Sequence, residues 1–127
     1  MQDHRKLRVY AAAQKLGIDV YRVVRWLPAS ERYALGDQLR RAVVSIGSNI
    51  AEGSGRATSR DFCSYLDKAL ASAREVAFQL GHAEATGLLK SGSTRRAVDS
   101  TVVVQKMLTA LIVRIRDKDR SGDGELA

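Results

Sequence analysis

Residues 31–52 run ERYALGDQLRRAVVSIGSNIAE and repeat apolar side chains with the spacing of an α-helix. The apolar row continues one residue beyond this segment and consists of Leu35, Leu39, Ala42, Ile46, Ile50 and Gly53. A second row on the same segment is polar and holds Arg41, Ser45, Ser48, Asn49 and Glu52. A surface helix that only faces water has no need of this second row, so we interpret it as polar side chains kept at a seam between helices. The segment indicates an all-helical protein built for assembly and contact.

Three further segments of the chain carry the same periodicity. We predict helices over residues 7–27, 30–53, 59–87 and 94–118. The segment 59–87 has the most regular period, because its apolar residues alternate steps of four and three along its whole length. Short links between four such segments predict an all-α, antiparallel up-down-up-down four-helix bundle. We place this bundle in one domain, residues 1–118, and expect a flexible tail at 119–127.

The composition limits the classes of protein to which the chain can belong. It has 127 residues, a net charge of +7 and one cysteine, Cys63. That length suits a single domain with one core. One cysteine excludes an intrachain disulfide and a cysteine-rich metal cluster. No apolar run approaches the roughly 18 residues of a membrane span, and the N-terminus lacks the pattern of a signal peptide. We therefore expect a cytoplasmic protein that makes no membrane contact.

The excess of basic residues lies in the first and last segments of the chain, which favours phosphate-rich partners. Arg8, Lys15 and Arg22 recur every seven residues on the first predicted helix, and Arg25 flanks them. Such a row can neutralise the phosphates of a nucleic acid, although an ordinary solvated helix face has the same pattern. The same segment holds three aromatic residues that can stack on unpaired bases: Tyr10, Tyr21 and Trp26. Trp26 suits the core or an interface better.

The polar row has two interpretations. Its members lie three or four residues apart, and two polar residues of the third predicted helix can face them. Either the row is a ligand or RNA-contact site, or it is a hydrogen-bonded network that fixes helix register and the subunit interface. We favour the structural network, with these members: Arg41, Ser45, Asn49, Glu52, Ser72 and Glu75.

The pattern of titratable residues does not favour an enzyme. His82 has no partner at the spacing of a helical metal site. Glu52 and Glu75 could form a carboxylate pair, but the Glu-x-x-His motif of di-iron bundles is missing. We expect no catalytic residues, no metal and no cofactor.

Three stretches resemble a known family: RKLRVYAAA at 5–13, QLRRAVVSIGSNIAEG at 38–53 and DFCSYLDKALASAREVAFQL at 61–80. They are similar to four-helix bundle proteins related to the intervening-sequence protein of bacterial 23S ribosomal RNA (S23-like proteins). This family includes the accessory variability protein of diversity-generating retroelements. One departure is Ala71, which stands where the family usually has a glycine before Ser72. The resemblance implies a ring-like homopentamer without established enzymatic activity, some of whose relatives associate with nucleic acid or a reverse transcriptase.

Together these observations predict a non-catalytic, oligomeric bundle that binds RNA or DNA, with Arg8, Lys15, Arg22 and Arg25 contacting phosphates. The alternative is a protein-interaction scaffold or accessory subunit, for example of a reverse transcriptase–RNA complex. A bundle that binds a small molecule without chemistry is a third possibility. Self-association is also expected from four apolar residues outside the main rows: Val44, Leu70, Val103 and Ile112.

Overall fold

The chain forms four long helices and one short helix within the residues that the computed structural model describes, His4 and 7–121. The helices are α1 (Arg8–Val24), α2 (Ala29–Arg32), α3 (Leu35–Ser54), α4 (Ser59–Ala85) and α5 (Arg95–Arg120). No strand occurs in these described ranges. The predicted all-α class is confirmed.

The four long helices form a bundle in which each helix packs on two neighbours. Helix α1 packs on α3 and α5, and α4 packs on the same two helices. Helices α1 and α4 therefore lie diagonally opposite each other. Since consecutive long helices are neighbours and their links are short, the bundle has the predicted antiparallel up-down-up-down arrangement.

The core is built from the predicted apolar rows. All four long helices contribute side chains that are completely or almost completely shielded from water. The largest are Phe62, Leu16, Leu27, Leu39, Ile46, Ile50, Leu66, Leu80 and Leu108. Two residues assigned to a self-association surface, Leu70 and Ile112, are instead buried in this core, whereas Val44 and Val103 are exposed. Of the four residues expected at a self-association surface, Val44 and Val103 therefore remain available for one.

The second predicted helix, 30–53, differs at its start. The structure has a single turn, α2, followed by a break at residues 33–34, and α3 begins at Leu35. The turn is tied to the end of α1, because Arg32 donates hydrogen bonds to the carbonyl oxygens of Leu27 (3.2 Å) and Arg25 (3.3 Å). Buried Gly36 then brings α3 against α1, where an added Cβ would lie 3.1 Å from Val24 Cγ1. Docking on α1 thus interrupts a helix that the local sequence would continue.

The last helix extends further than predicted. Helix α5 ends at Arg120, so the first residues of the segment assigned to the tail, 119–127, are helical. An ion pair between Arg120 and Asp117, 3.4 Å apart, stabilises this additional turn. Residues 122–127 lie outside the described part of the chain.

The link between α4 and α5 is held by one carboxylate. Glu84 accepts hydrogen bonds from the backbone N–H of Gly92 (2.7 Å) and from the hydroxyl of Thr94. These bonds, chiefly the one from Thr94, lower the pKa of Glu84. Gly87 and Gly92 have positive φ angles of 78° and 84°, which glycine adopts without a steric penalty. The link thereby fixes the position at which α5 begins. It also fixes the position of Arg95, the first residue of α5.

Candidate nucleic-acid interface

The four basic residues predicted to contact phosphate all lie on the exposed surface of α1 or just after its end. Seventeen residues separate Arg8 from Arg25, which corresponds to about 25 Å along a helix. They do not form one uniform stripe. Instead, Arg8, Lys15 and Arg25 each line a depression that also contains basic residues from another part of the chain. Arg22 lines a groove in which the one other basic residue is Arg25.

The first depression lies between the start of α1 and the end of α5. It has a volume of about 140 Å³ and is lined by Arg8 together with Arg114. Leu7, Met107 and Leu111 form its apolar part. The antiparallel packing of α1 and α5 therefore brings together two arginines that are far apart in sequence.

The second depression is a cleft of about 570 Å³ between the middle of α1 and the start of α5. Lys15 lines it with Arg95 and Arg96. The Lys15 ammonium donates hydrogen bonds to Asp19 (3.0 Å) and to the Ser100 hydroxyl (3.1 Å). Lys15 is thus partly engaged within the protein, although its side chain remains 66% exposed.

Asp19 is the residue that the sequence interpretation missed. It is only 4% exposed and accepts a 2.5 Å hydrogen bond from Ser100 of α5, while Arg22 approaches it to 3.9 Å. Burial acts to raise the pKa of this carboxyl, but the hydrogen bonds from Ser100 and Lys15 and the nearby positive charges outweigh burial and lower the pKa. The sequence shows that Asp19 lies four residues after Lys15 and three residues before Arg22, spacings that allow ion pairs on a helix. It does not show that Asp19 is buried, because this burial depends on α5.

The third basic region lies between α1 and α3. Arg22 and Arg25 line a groove of about 620 Å³ whose apolar part includes Ile18, Tyr21 and Val44. Arg25 also lines an adjoining depression of about 460 Å³, together with Arg32 and Arg40. Arg32 and Arg40 were not among the predicted contact residues, because only the break before α3 places them near the end of α1.

Part of the predicted polar row forms a cluster between α3 and α4. The hydroxyl oxygens of Ser45 and Ser72 lie 2.9 Å apart and share a hydrogen bond. Asn49 donates through Nδ2 to the Ser45 carbonyl oxygen (2.8 Å) and to the Ser45 hydroxyl (3.1 Å). All three residues are half-buried, so this cluster ties α3 to α4 near the protein surface.

The other members of the row lie apart from that cluster. Glu52 is exposed and accepts a 3.0 Å ion-pair hydrogen bond from Arg56. Glu75 is exposed and accepts a 3.1 Å hydrogen bond from Gln79. Arg41 is exposed and lines a depression beside Tyr21. The structure therefore divides the predicted row into one hydrogen-bonded cluster and three separate surface residues.

The family model described as "23S rRNA-intervening sequence protein" matches residues 5–110. The chain belongs to the 23S rRNA-intervening sequence protein family. A crystal structure of a protein of unknown function from the S23 ribosomal protein family of Bacteroides thetaiotaomicron has the same fold, with a TM-score of 0.74 and 21% identity. The alignment covers 82% of this chain and 97% of the Bacteroides protein. No curated protein matches the chain.

Four further features of this 23S rRNA-intervening sequence family member bear on function. Trp26 was expected in the core or at an interface; it is 59% exposed, so it does not belong to the core. Cys63 is buried, and burial raises the pKa of its thiol. Across the described residues, no group of three or more His, Cys, Asp or Glu side chains is arranged to hold a metal ion. No helix within the same ranges is both long and apolar enough to cross a membrane.

Proposed function

We propose that this protein is a non-catalytic bundle that binds nucleic acid through the basic surface of α1. The observation that carries the proposal is the surroundings of three of its four predicted contact residues. Arg8 lies beside Arg114, and Lys15 lies in a cleft with two arginines of α5. Arg25 lies with two arginines that follow α1. Positive charge therefore accompanies α1 over about 25 Å, the length of roughly seven base-pair steps of a duplex.

Electrostatics supports a phosphate-rich partner. The chain carries a net charge of +7, and proteins that neutralise phosphates release condensed counterions, which makes binding strongly dependent on salt. The family description refers to an intervening sequence of 23S rRNA, which makes structured RNA the first ligand to test and DNA the second.

We further propose that the protein acts as a ring-like homo-oligomer, with the pentamer that the family resemblance implies. Two surfaces support self-association. The first is the cluster of Ser45, Asn49 and Ser72 between α3 and α4. The second is a set of exposed apolar side chains on α4 and α5, which includes Phe78 (68% exposed) and Val113 (51% exposed). A ring would repeat the basic surface, so weak single sites would combine into tight binding.

The test is a titration of labelled structured RNA, single-stranded DNA and duplex DNA across a salt series. We compare the wild type with a variant that carries Arg8→Gln, Lys15→Gln and Arg22→Gln. Removing three phosphate contacts should reduce the slope of log K against log salt by about 2 to 3 units and leave the oligomer unchanged. The charge-matched control carries three replacements on α4, diagonally opposite: Arg60→Gln, Lys68→Gln and Arg74→Gln.

Two results would contradict this proposal. Equal losses of affinity in the two triple variants would show that net charge alone, and not the surface of α1, determines binding. A wild type that binds none of the three nucleic acids at moderate salt would instead favour a second function. That function is a protein-interaction scaffold or accessory subunit, for example of a reverse transcriptase–RNA complex. The apolar groove between α1 and α3 supports this alternative, because Ile18 and Val44 are each 56% exposed there.

A further inference from the structure

Tyr21 occupies a distinctive position on the surface of α1. Its side chain is 46% exposed and lines three adjoining depressions, at the α1–α3 groove and beside the start of α3. Five arginines line the same depressions: Arg22, Arg25, Arg32, Arg40 and Arg41. The one carboxylate among the lining residues is Asp37, which is paired with Arg40. The surroundings of this aromatic ring are therefore strongly cationic.

Two of these arginines are held in place by the backbone. Arg32 donates to the carbonyl oxygens of Leu27 and Arg25, and Arg40 donates through Nη2 to the carbonyl oxygen of Arg32 (3.1 Å). A guanidinium group fixed in this way loses little rotamer entropy when it binds an anion. By contrast, Arg25 and Arg41 make no side-chain ion pair with any described residue, so their charges are available to a ligand.

The chemistry beside Tyr21 suits a nucleotide that is not base-paired. Ile18 and Val44, both 56% exposed, extend the apolar surface next to the Tyr21 ring, while the arginines supply positive charge at its edges. An unpaired base can stack on such a surface while its flanking phosphates contact the arginines. A regular duplex keeps its bases stacked inside and can use only the arginines. Gln14 and Ser48 line the same groove and can hydrogen-bond a ribose 2′-hydroxyl.

We propose that Tyr21 stacks on an unpaired base of single-stranded RNA and that the surrounding arginines bind the adjacent phosphates. This inference rests on the proposed nucleic-acid-binding function and assigns its base-contacting site. It also separates two roles along α1. The surface around Arg8 and Lys15 contacts phosphates of any nucleic acid, whereas the Tyr21 site requires an exposed base.

The experiment compares two labelled RNAs with equal numbers of phosphates, a hairpin with an unpaired loop and a fully paired duplex, by fluorescence anisotropy. Loss of one stacked base should reduce the affinity of Tyr21→Leu for the hairpin roughly 5- to 150-fold and leave duplex affinity unchanged. Tyr21→Phe keeps the ring and should bind the hairpin like the wild type. The control Tyr33→Leu removes an aromatic side chain that is 83% exposed and lines none of these three depressions, so it should not change either affinity.

Several outcomes would overturn the inference. Hairpin affinity that is unchanged in Tyr21→Leu, or lost equally for both RNAs, would exclude a base-stacking role. Single-stranded DNA that binds as tightly as RNA of the same sequence would exclude the assignment to RNA. A changed sedimentation coefficient for Tyr21→Leu would show that the site is instead a contact between copies. In all these cases a salt-dependent wild-type interaction with nucleic acid would leave the broader proposal intact, whereas its absence would remove both.

Discussion

Replacing Asp19 with asparagine should lower the stability of the protein and raise its affinity for nucleic acid. Asp19 is 4% exposed and accepts hydrogen bonds from Ser100 at 2.5 Å and from Lys15 at 3.0 Å. The amide of Asp19→Asn keeps the shape of the side chain and one carbonyl acceptor, but it removes the charge. Hydrogen bonds to charged groups contribute about 1 kcal/mol more than neutral ones. Because Lys15 is 66% exposed, solvent screens its bond and reduces its contribution. The free energy of unfolding should therefore fall by about 1–2 kcal/mol.

The change in affinity follows from the cations that Asp19 holds. Lys15 lies 3.0 Å from its carboxylate and Arg22 lies 3.9 Å from it, so the wild-type carboxylate competes with phosphate for both. Removing it makes about one additional positive charge available. For a salt dependence of about 0.9 per charge, one extra contact corresponds to an increase of roughly eightfold in affinity at 0.1 M salt. Stability and affinity should therefore change in opposite directions.

Urea denaturation measures the first effect, and titration of labelled RNA at several salt concentrations measures the second. The control for stability is Asp99→Asn, which removes a carboxylate that is 71% exposed and 4.0 Å from Arg95. This change should alter the free energy of unfolding by less than about 0.5 kcal/mol. An unchanged stability of Asp19→Asn would refute the assigned role of the buried carboxylate. Weaker RNA binding by a folded Asp19→Asn would show that Lys15 and Arg22 do not contact phosphate.

The remaining predictions concern packing, assembly and pH. Gly53→Ala places a Cβ 2.7 Å from Tyr65 Cβ and should destabilise the protein by about 1–3 kcal/mol. Gly81→Ala places a Cβ with no neighbouring atom within 4 Å and should stabilise the protein by up to about 1 kcal/mol. Equal unfolding midpoints of the two variants in urea would contradict this prediction. Asn49→Leu breaks the cluster with Ser45 and should change the oligomer size, so an unchanged sedimentation profile and melting curve would exclude a role in assembly. Because the pKa of Asp19 is lowered from 3.8, its stabilisation is present above that pH and is lost as the pH falls through the lower value. The difference in melting temperature between wild type and Asp19→Asn should therefore shrink below about pH 4, and a constant difference down to pH 2 would contradict the assignment.

The core could be predicted from the sequence because burial repeats with the period of the helix. Residues such as Leu39 and Leu66 belong to rows that continue over several turns, and both are completely buried. The break before α3 could not be predicted in this way. Residues 33–34 have no local signal that stops a helix, and the break lies where buried Gly36 leaves α3 too close to Val24 of α1 for an added Cβ. Tertiary docking therefore overrode local helix propensity at this point.

The candidate nucleic-acid interface could also be predicted only in part from the sequence. Exposure of Arg8, Lys15, Arg22 and Arg25 followed from their positions on the first helix, which the sequence placed well. The charges that surround these four residues could not be predicted from the sequence, because they depend on which other helices pack beside α1. Asp19 fastens α1 to α5 only because the start of α5 places Ser100 within hydrogen-bond distance of its carboxylate. A helical pattern identifies which side chains share a face, but it does not identify the neighbours of that face.

The positions of the helices explain how assembly and ligand binding can coexist in one small bundle. Helix α1 lies diagonally opposite α4, so the basic surface and the exposed Phe78 belong to different sides of the molecule. If α4 supplies the contacts of the proposed ring, the basic surface of α1 stays accessible in every copy. In the proposed function, Asp19 limits how strongly α1 attracts phosphate, because the carboxylate that fastens α1 to α5 also holds Lys15 and Arg22. The proposed affinity for nucleic acid is thus expected to be coupled to the stability of the protomer through one buried side chain.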